Sequence, residues 1–522
     1  MKKAKMSKKL AKLMTLGLLG LNFLCFPQTA NSKEVTQSIF YVNDIHGQVP
    51  RMEQITTASF QYDSTWGEKG DVDSFKFSAG DICIGSDNGI NVTAVKFLDL
   101  NSVEATAVGN HEFDMSASVL AEIMKKASFP MLAANAEFPK NNQLGKQTLK
   151  SIILTGKSGE KYGIIGAQSP TLIERMKDKS LFEGIKISGG EKAYKELQSE
   201  VDKLTSQGIN KIIILSHSGY EEEKLMAQNL YDVDVIIGGH SHDLILDVVE
   251  GKNLQYSPKG EPVIITQAGR DGNNFGILVV KYNDDGVVIS VQNNVFKTID
   301  FPKNNIMMTV TNAVQGVSPV VANVKSVEAL TEKMNIEENP YEDVFMDMVK
   351  EETGAQIVLI NSTNFRGTLS VGNLTERDIS GCFPFKNKMC VVELSEKGLV
   401  DAINFGGKSV TRPDYKPSIL QVSGLEYTLD KNGVLTKAAI VNKDSTKTAI
   451  DVKNPSNEKY YTVAYDDYLY KGGDGFVSLK GVKLLKKYDY DKDQIIIDYL
   501  KSSKCTSKDI YIKCDGRIKV EK

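Results

Sequence analysis

Five histidines are all the chain contains, and they stand in four short stretches: YVNDIHGQ with His46, VGNHEFD with His111, ILSHSG with His217, and IIGGHSHD with His240 and His242. A further stretch, SFKFSAGDICIG, supplies Asp81 in the same kind of setting. Imidazole, carboxylate and the amide oxygen of Asn110 make a donor set suited to divalent cations such as Zn, Mn or Fe, and the lack of thiolate argues against a purely structural zinc site. Alternate side chains of an extended segment share a face, so Asp44-x-His46 and His240-x-His242 each turn two donors to one side. The donors outnumber the positions around one tetrahedral ion. Two ions are implied, with one carboxylate shared, and paired ions roughly 3.5–4 Å apart are a standard device for hydrolysing phosphate esters.

The elements that must hold these residues are legible in what precedes them. SIFYV, VEATAV, KIIIL and VDVII are apolar, β-branched runs that read as buried strands, so every histidine lies just past the carboxyl end of a strand. In α/β sheets the crevice beyond those ends is where ligands bind. Gly109 lets the chain turn sharply between its strand and Asn110-His111. Glu112 and Phe113 read as local packing or capping residues without chemistry.

At 522 residues the chain is too long for one core and implies two unequal domains. It is 41% hydrophobic and 25% charged with a formal net charge of -3, an ordinary globular profile. No basic excess points to a nucleic-acid polymer as partner. The first 32 residues have a lysine-rich start, an apolar segment from Met14 to Phe26 and a small-x-small site at Ala30-Asn31-Ser32, the layout of a secretory signal peptide. The apolar segment falls short of the roughly 20 residues a spanning helix needs. The mature protein is therefore expected to be exported, periplasmic or extracellular, with no integral membrane segment once the signal is removed. Five cysteines remain after removal of Cys25; Cys505 and Cys514 are close enough in sequence to bridge a terminal hairpin, which spacing alone does not establish.

The order Asp-x-His, Gly-Asp, Gly-Asn-His-Glu, a lone histidine after a strand, then Gly-Gly-His-Ser-His resembles the calcineurin-like metallophosphoesterase superfamily. GNHEFD in particular is similar to the periplasmic and ecto-5′-nucleotidases, a group that includes UDP-sugar hydrolases. That resemblance implies that Asp44, His46, Asp81 and His242 hold one metal and Asp81, Asn110, His217 and His240 the other, with Asp81 as the bridge. It makes His111 the histidine that binds no metal and donates to the phosphate and leaving group, oriented by Asp114.

The second half carries Asn361 to Arg366, PFKN, QVSG and GGDGF, which resemble four hallmarks of the 5′-nucleotidase C-terminal domain. By that resemblance Asn361 and Arg366 belong to the substrate site and Phe476 in GGDGF stacks on the base. The second stacking phenylalanine of the family is replaced by Ile419. A further basic contact is open among Arg377, Lys408 and Arg412. The expected architecture is α/β: a signal peptide over 1–32, a metallophosphoesterase β-sandwich flanked by helices over 33–306, a connecting segment over 307–341, and a mixed α/β substrate-binding domain over 342–522. The implied activity is a two-metal 5′-nucleotidase acting on small-molecule nucleotides. UDP-sugar hydrolysis, 2′,3′-cyclic-nucleotide hydrolysis and a non-catalytic secreted binding or adhesion role are the alternatives.

Overall fold

Residues 24–26, 34–169, 179–328, 336–366, 369–383, 385–412 and 418–521 are described by the computed structural model. The chain divides into two compact units, Met1–Val317 and Ser318–Lys522.

The first unit is built on strands that alternate faces. In Val35–Val42, Ile39 and Tyr41 point into one apolar cluster while Phe40 and Val42 point into another; in Ile212–His217, Ile213 and Leu215 separate from Ile212 and Ile214 in the same way. Side chains of a strand alternate with period two, so a strand apolar on both faces must be covered on both. The result is two sheets face to face. An eight-stranded sheet carries Val35–Val42, Val72–Ser78 and Ala105–Ala107 side by side and parallel. A six-stranded sheet carries Lys161–Gln168, Ile212–His217, Val235–Ile237 and Pro262–Thr266, also parallel. Phe77, Leu132, Ile164, Leu215 and Ile237 fill the space between the sheets. Helices Val49–Tyr62 and Asn88–Leu100 cover the outer face of the first sheet, and Gly190–Thr205 and Tyr220–Asn229 that of the second. This is the helix-flanked β-sandwich that the metallophosphoesterase resemblance implied. Helix Asn305–Gln315 packs against Val49–Tyr62 and Asn88–Leu100 and so lies within this unit.

The second unit centres on a five-stranded sheet in the order Leu420–Ser423, Ile357–Asn361, Tyr460–Asp466, Lys388–Ser395, Lys483–Asp491. Val358 and Ile360 face the cluster under helices Pro340–Thr353 and Lys492–Lys501, while Ile357 and Leu359 face the one under Glu396–Gly407. It is a mixed α/β unit, as expected.

The signal-peptide segment 1–32 lies outside the described residues apart from Leu24–Phe26; Leu24 and Cys25 pair antiparallel with Val291 and Ser290 at the edge of the eight-stranded sheet. No helix among the described residues is long and apolar enough to cross a membrane. All six cysteines are free, so Cys505 and Cys514 are not bridged.

Candidate functional site

The carboxyl ends of five strands of the first unit converge. Val35–Val42 leads into Asp44 and His46, Val72–Ser78 into Asp81, Ala105–Ala107 into Asn110 and His111, Val235–Ile237 into His240 and His242, and Ile212–His217 ends on His217. The donor atoms of Asp44, His46 and His242 lie within 4.8 Å of one another, as do those of Asp44, Asp81 and His217. One oxygen of Asp81 is 3.4 Å from His46 Nε2 and 3.2 Å from His217 Nε2, so a single carboxylate reaches both sets. His242 Nε2 lies 3.3 Å from Asp44. Asn110 Oδ1 is 2.7 Å from His240 Nδ1 and 3.3 Å from His217 Nε2, which joins both residues to the second set. All seven proposed ligands are thus together. His111 also falls within 4.8 Å of His46 and Asp81 as a donor group. Its Nδ1 is committed elsewhere, 2.7 Å from Asp114 Oδ2. Asp44, His46, Asp81 and His217 are buried, whereas Asn110, His111, Asp114, His240 and His242 are only partly covered, so the centre opens on one side.

The backbone is bent to achieve this. Asp44, His46, Asp81, His240 and His242 have φ of 49°, 50°, 51°, 78° and 66°. Side-chain-bearing residues adopt that region at a cost of about 1–2 kcal/mol each, and such strain collects at functional sites. Gly109 is required for a different reason. A Cβ there would stand 2.1 Å from Asp81 Oδ1.

Around the donors lies a layer of orienting groups. His46 Nδ1 is held by Asp271 at 2.9 Å and His217 Nδ1 by the Ala79 carbonyl at 2.7 Å. Each bond uses Nδ1–H and leaves Nε2 facing the carboxylates, the usual way a protein orients a ligand histidine. Asp44 accepts from Asn43 Nδ2 at 2.7 Å and from the His240 amide. Glu112 is buried and binds the backbone of two loops: Oε1 accepts from Ile82 N (2.9 Å) and Cys83 N (3.2 Å), Oε2 from Asp81 N (3.0 Å) and Gly109 N (2.7 Å). Asp114, besides orienting His111, accepts from Gly85 N at 2.7 Å. Sequence reading missed Asp271, which lies 225 residues from His46, and gave Glu112 only local packing or capping.

The electrostatics favour a cation. Burial opposes ionisation of Asp44 and Asp81, but the surrounding histidines outweigh it, holding Asp44 below and Asp81 well below the usual carboxylate range. Burial likewise opposes charge on His46 and His217; bonds and charges from Asp271 and Asp81 nevertheless raise His46 to about 9, and those from Asp81 and Asp44 raise His217 to about 10. Burial lowers His242. Two ionised carboxylates thus draw positive charge into a buried cluster, where a divalent cation can take the place of the imidazolium protons. The donor chemistry and the fixed Nε2 positions, once a cation replaces those protons, fit such ions.

In the second unit, Asn361 ends the strand Ile357–Asn361, and its Nδ2 donates to Asp474 Oδ2 at 3.0 Å. Arg366 is half-buried, its guanidinium 5.6 Å from the centre of the Phe385 ring. Phe476, read from sequence as a stacking ring, is 0% exposed and meets Phe405 edge-on at 5.2 Å. It occupies a core position, as does Ile419, which is in the same apolar cluster. Phe405 is half-buried, with Lys408 Nζ 4.9 Å from its ring centre.

Comparison with known proteins agrees with this division. Residues 38–244 match the family model for calcineurin-like phosphoesterase and residues 317–481 that for the 5′-nucleotidase C-terminal domain. The chain is 24% identical over 92% of its length to the trifunctional nucleotide phosphoesterase protein YfkN of Bacillus subtilis, of which it spans only 35%. It is 26% identical over 81% of its length to mouse 5′-nucleotidase, covering 77% of that protein. In fold it resembles the crystal structure of the 5′-nucleotidase precursor from Thermus thermophilus, with a TM-score of 0.66, 23% identity, and coverage of 93% of this chain and 99% of that one. With both domain models matched in order and the donor cluster assembled at the strand ends, the chain belongs to the 5′-nucleotidase family of calcineurin-like phosphoesterases, which are metal-dependent phosphoester hydrolases.

Proposed function

We propose that the protein is an exported 5′-nucleotidase that releases phosphate from nucleoside 5′-phosphates at a two-metal centre. The observation that carries the reading is the Asp81 carboxylate, one oxygen of which stands between His46 Nε2 and His217 Nε2, where a bridging ligand is needed. Asp44, His46, Asp81 and His242 would hold one ion; Asp81, Asn110, His217 and His240 would hold the other. Bound there, such ions supply an acidified water nucleophile and offset charge on the phosphoryl oxygens. The chain's own residues supply the rest. His111, at the open side of the cluster, donates to the phosphoryl or leaving-group oxygen, where a fixed donor is worth most as charge develops. Asp114 holds it by Nδ1 and is itself aimed by the Gly85 amide, so Nε2 is the ring nitrogen left to donate.

Arg366 and Asn361 are assigned to phosphate or ribose, and Phe476 and Ile419 act from the core behind the loops that carry them. The apolar, lysine-led first 32 residues support export, and the relatives named as 5′-nucleotidases support a nucleotide substrate. The test is phosphate release by the purified protein supplied with Mn or Zn, offered adenosine monophosphate, UDP-glucose and 2′,3′-cyclic adenosine monophosphate in parallel. Preferred turnover of adenosine monophosphate, abolished by chelation and restored by metal, is expected. Preference for the sugar nucleotide or the cyclic diester would move the substrate assignment, and inactivity with every metal would overturn the enzyme reading.

A further inference from the structure

Three segments that the sequence marks as substrate motifs lie far apart along the chain of the second unit, and one buried network ties them together. Its centre is the pair Asp466 and Lys492, each 1% exposed. Asp466 ends the strand Tyr460–Asp466 and Lys492 opens the helix Lys492–Lys501. Lys492 Nζ donates to Asp466 Oδ2 at 3.2 Å and to Asn364 Oδ1. The amide of Asn364 donates to Asp466 Oδ2 at 2.6 Å and to Asn361 Oδ1 at 3.3 Å. Asn387, of the PFKN turn, donates to the same Asp466 oxygen at 3.1 Å. Asn361 in turn donates to Asp474 Oδ2 at 3.0 Å, and Tyr468 OH donates to Asp474 Oδ1 at 2.7 Å. Asp474 sits in the Gly-Gly-Asp-Gly-Phe loop with φ of 52°, a conformation that must be held by its surroundings.

We propose that Lys492 is a positioning residue for the nucleotide, acting through Asn364 and Asp466 to fix the Asn361–Arg366, PFKN and GGDGF segments in one arrangement. This rests on the nucleotide reading above. Its ammonium is buried against Asn364 and Asp466 and acts on the three segments through them. A lysine suits the post because it carries three donors and no acceptor, and a buried carboxylate shared by two asparagines needs a counter-charge. Asn364 has both N–H bonds and its oxygen used within the network, so it cannot rotate without breaking all three. Buried networks of this kind specify one geometry when every member is satisfied.

The test compares wild type, Lys492→Met and the double variant Lys492→Met/Asp466→Asn on adenosine monophosphate and on p-nitrophenyl phosphate, which has no nucleoside to recognise. The single variant leaves Asp466 with an unpaired buried charge and is expected to lose stability, which the double variant recovers. In the double variant KM for adenosine monophosphate is expected to rise on the order of tenfold to a hundredfold, as loose positioning does. The loss in kcat/KM on p-nitrophenyl phosphate is expected to be about tenfold smaller than that on adenosine monophosphate, a split that a general loss of fold would not produce. Faster amide exchange is expected across residues 361–366 and 472–476. A folded double variant with wild-type KM for adenosine monophosphate and unchanged exchange overturns the role of Lys492 alone. Wild type that treats the two substrates alike overturns the nucleotide reading, and this role with it.

Discussion

Glu112 stands in plain view inside GNHEFD, yet its work lies in the backbone it holds. Its two oxygens accept four N–H bonds of 2.7–3.2 Å from the loop after Val72–Ser78 and from Gly109, the residue before Asn110. Burial, supported by the Asp81 charge, raises its pKa to about 7 against the pull of those amides, so at pH 8 the carboxylate is ionised. Glu112→Gln keeps the shape but offers one acceptor atom. Whichever way the amide turns, two backbone donors face an NH2 group. Hydrogen bonds to a charged acceptor contribute about 1.5–3 kcal/mol each, so two lost bonds amount to about 3–6 kcal/mol before relaxation. Part of that loss falls on the loops that aim Asp81 and Asn110, so metal affinity must weaken with stability. Urea unfolding at pH 8 checks the first effect, and titration of the metal-free protein with Mn, followed by activity and by calorimetry, checks the second. A variant within about 0.5 kcal/mol of wild type, the range of an ordinary surface change, and with unaltered Mn affinity would refute the argument.

Two further outcomes are expected from other parts of the molecule. Asp114→Asn weakens both the hold on His111 Nδ1 and the bond from Gly85 N, each 2.7 Å long, and should lower kcat on the order of a hundredfold with little change in KM; steady-state kinetics with wild-type turnover would count against His111 as the donor. Asp343 bears on pH. Burial, reinforced by the neighbouring Glu338 carboxylate and only partly offset by Arg517, raises it from 3.8 to about 9. A raised acid keeps its proton in the folded state while the unfolded chain loses it, so its stabilising contribution is complete below pH 3.8 and declines as pH rises toward about 9. Asp343→Asn removes that slope, which for one proton is at most about 1.4 kcal/mol per pH unit. Unfolding curves at pH 5, 7 and 9 should show the variant overtaking wild type as pH rises; parallel curves would contradict the shift.

How much of this was readable beforehand depended on distance along the chain. Runs such as SIFYV and KIIIL state their own period, and Ile39, Phe40, Tyr41 and Val42 divide between two cores as period two demands. Glycine-flanked histidines after such runs lie at one sheet edge because parallel strands all end on the same side. The donors were therefore legible from local pattern alone. Asp271 was not, since nothing near it in sequence mentions His46, and only the pairing of Val35–Val42 with Asn274–Tyr282 brings the two segments together.

Phe476 shows the other limit. The family resemblance makes it a base-stacking ring, but the direction of a ring is set by the turn that carries it. Gly472, Asp474 and Gly475 all have positive φ, 82°, 52° and 87°, and after that tight reversal the ring points inward against Phe405. The motif is thus recognisable while the use of its most conspicuous side chain is not. The same loop is tied through Asp474 and Asn361 to Asn364, Asp466 and Lys492, residues spread over more than a hundred positions with no shared periodicity. Satisfying a buried charge is a requirement of three-dimensional neighbours, and sequence order imposes none of it. Catalytic donors are readable because strand ends gather them by rule. The groups that position a substrate gather only case by case, which is why Lys492 carries no signature that a reader of the chain could have followed.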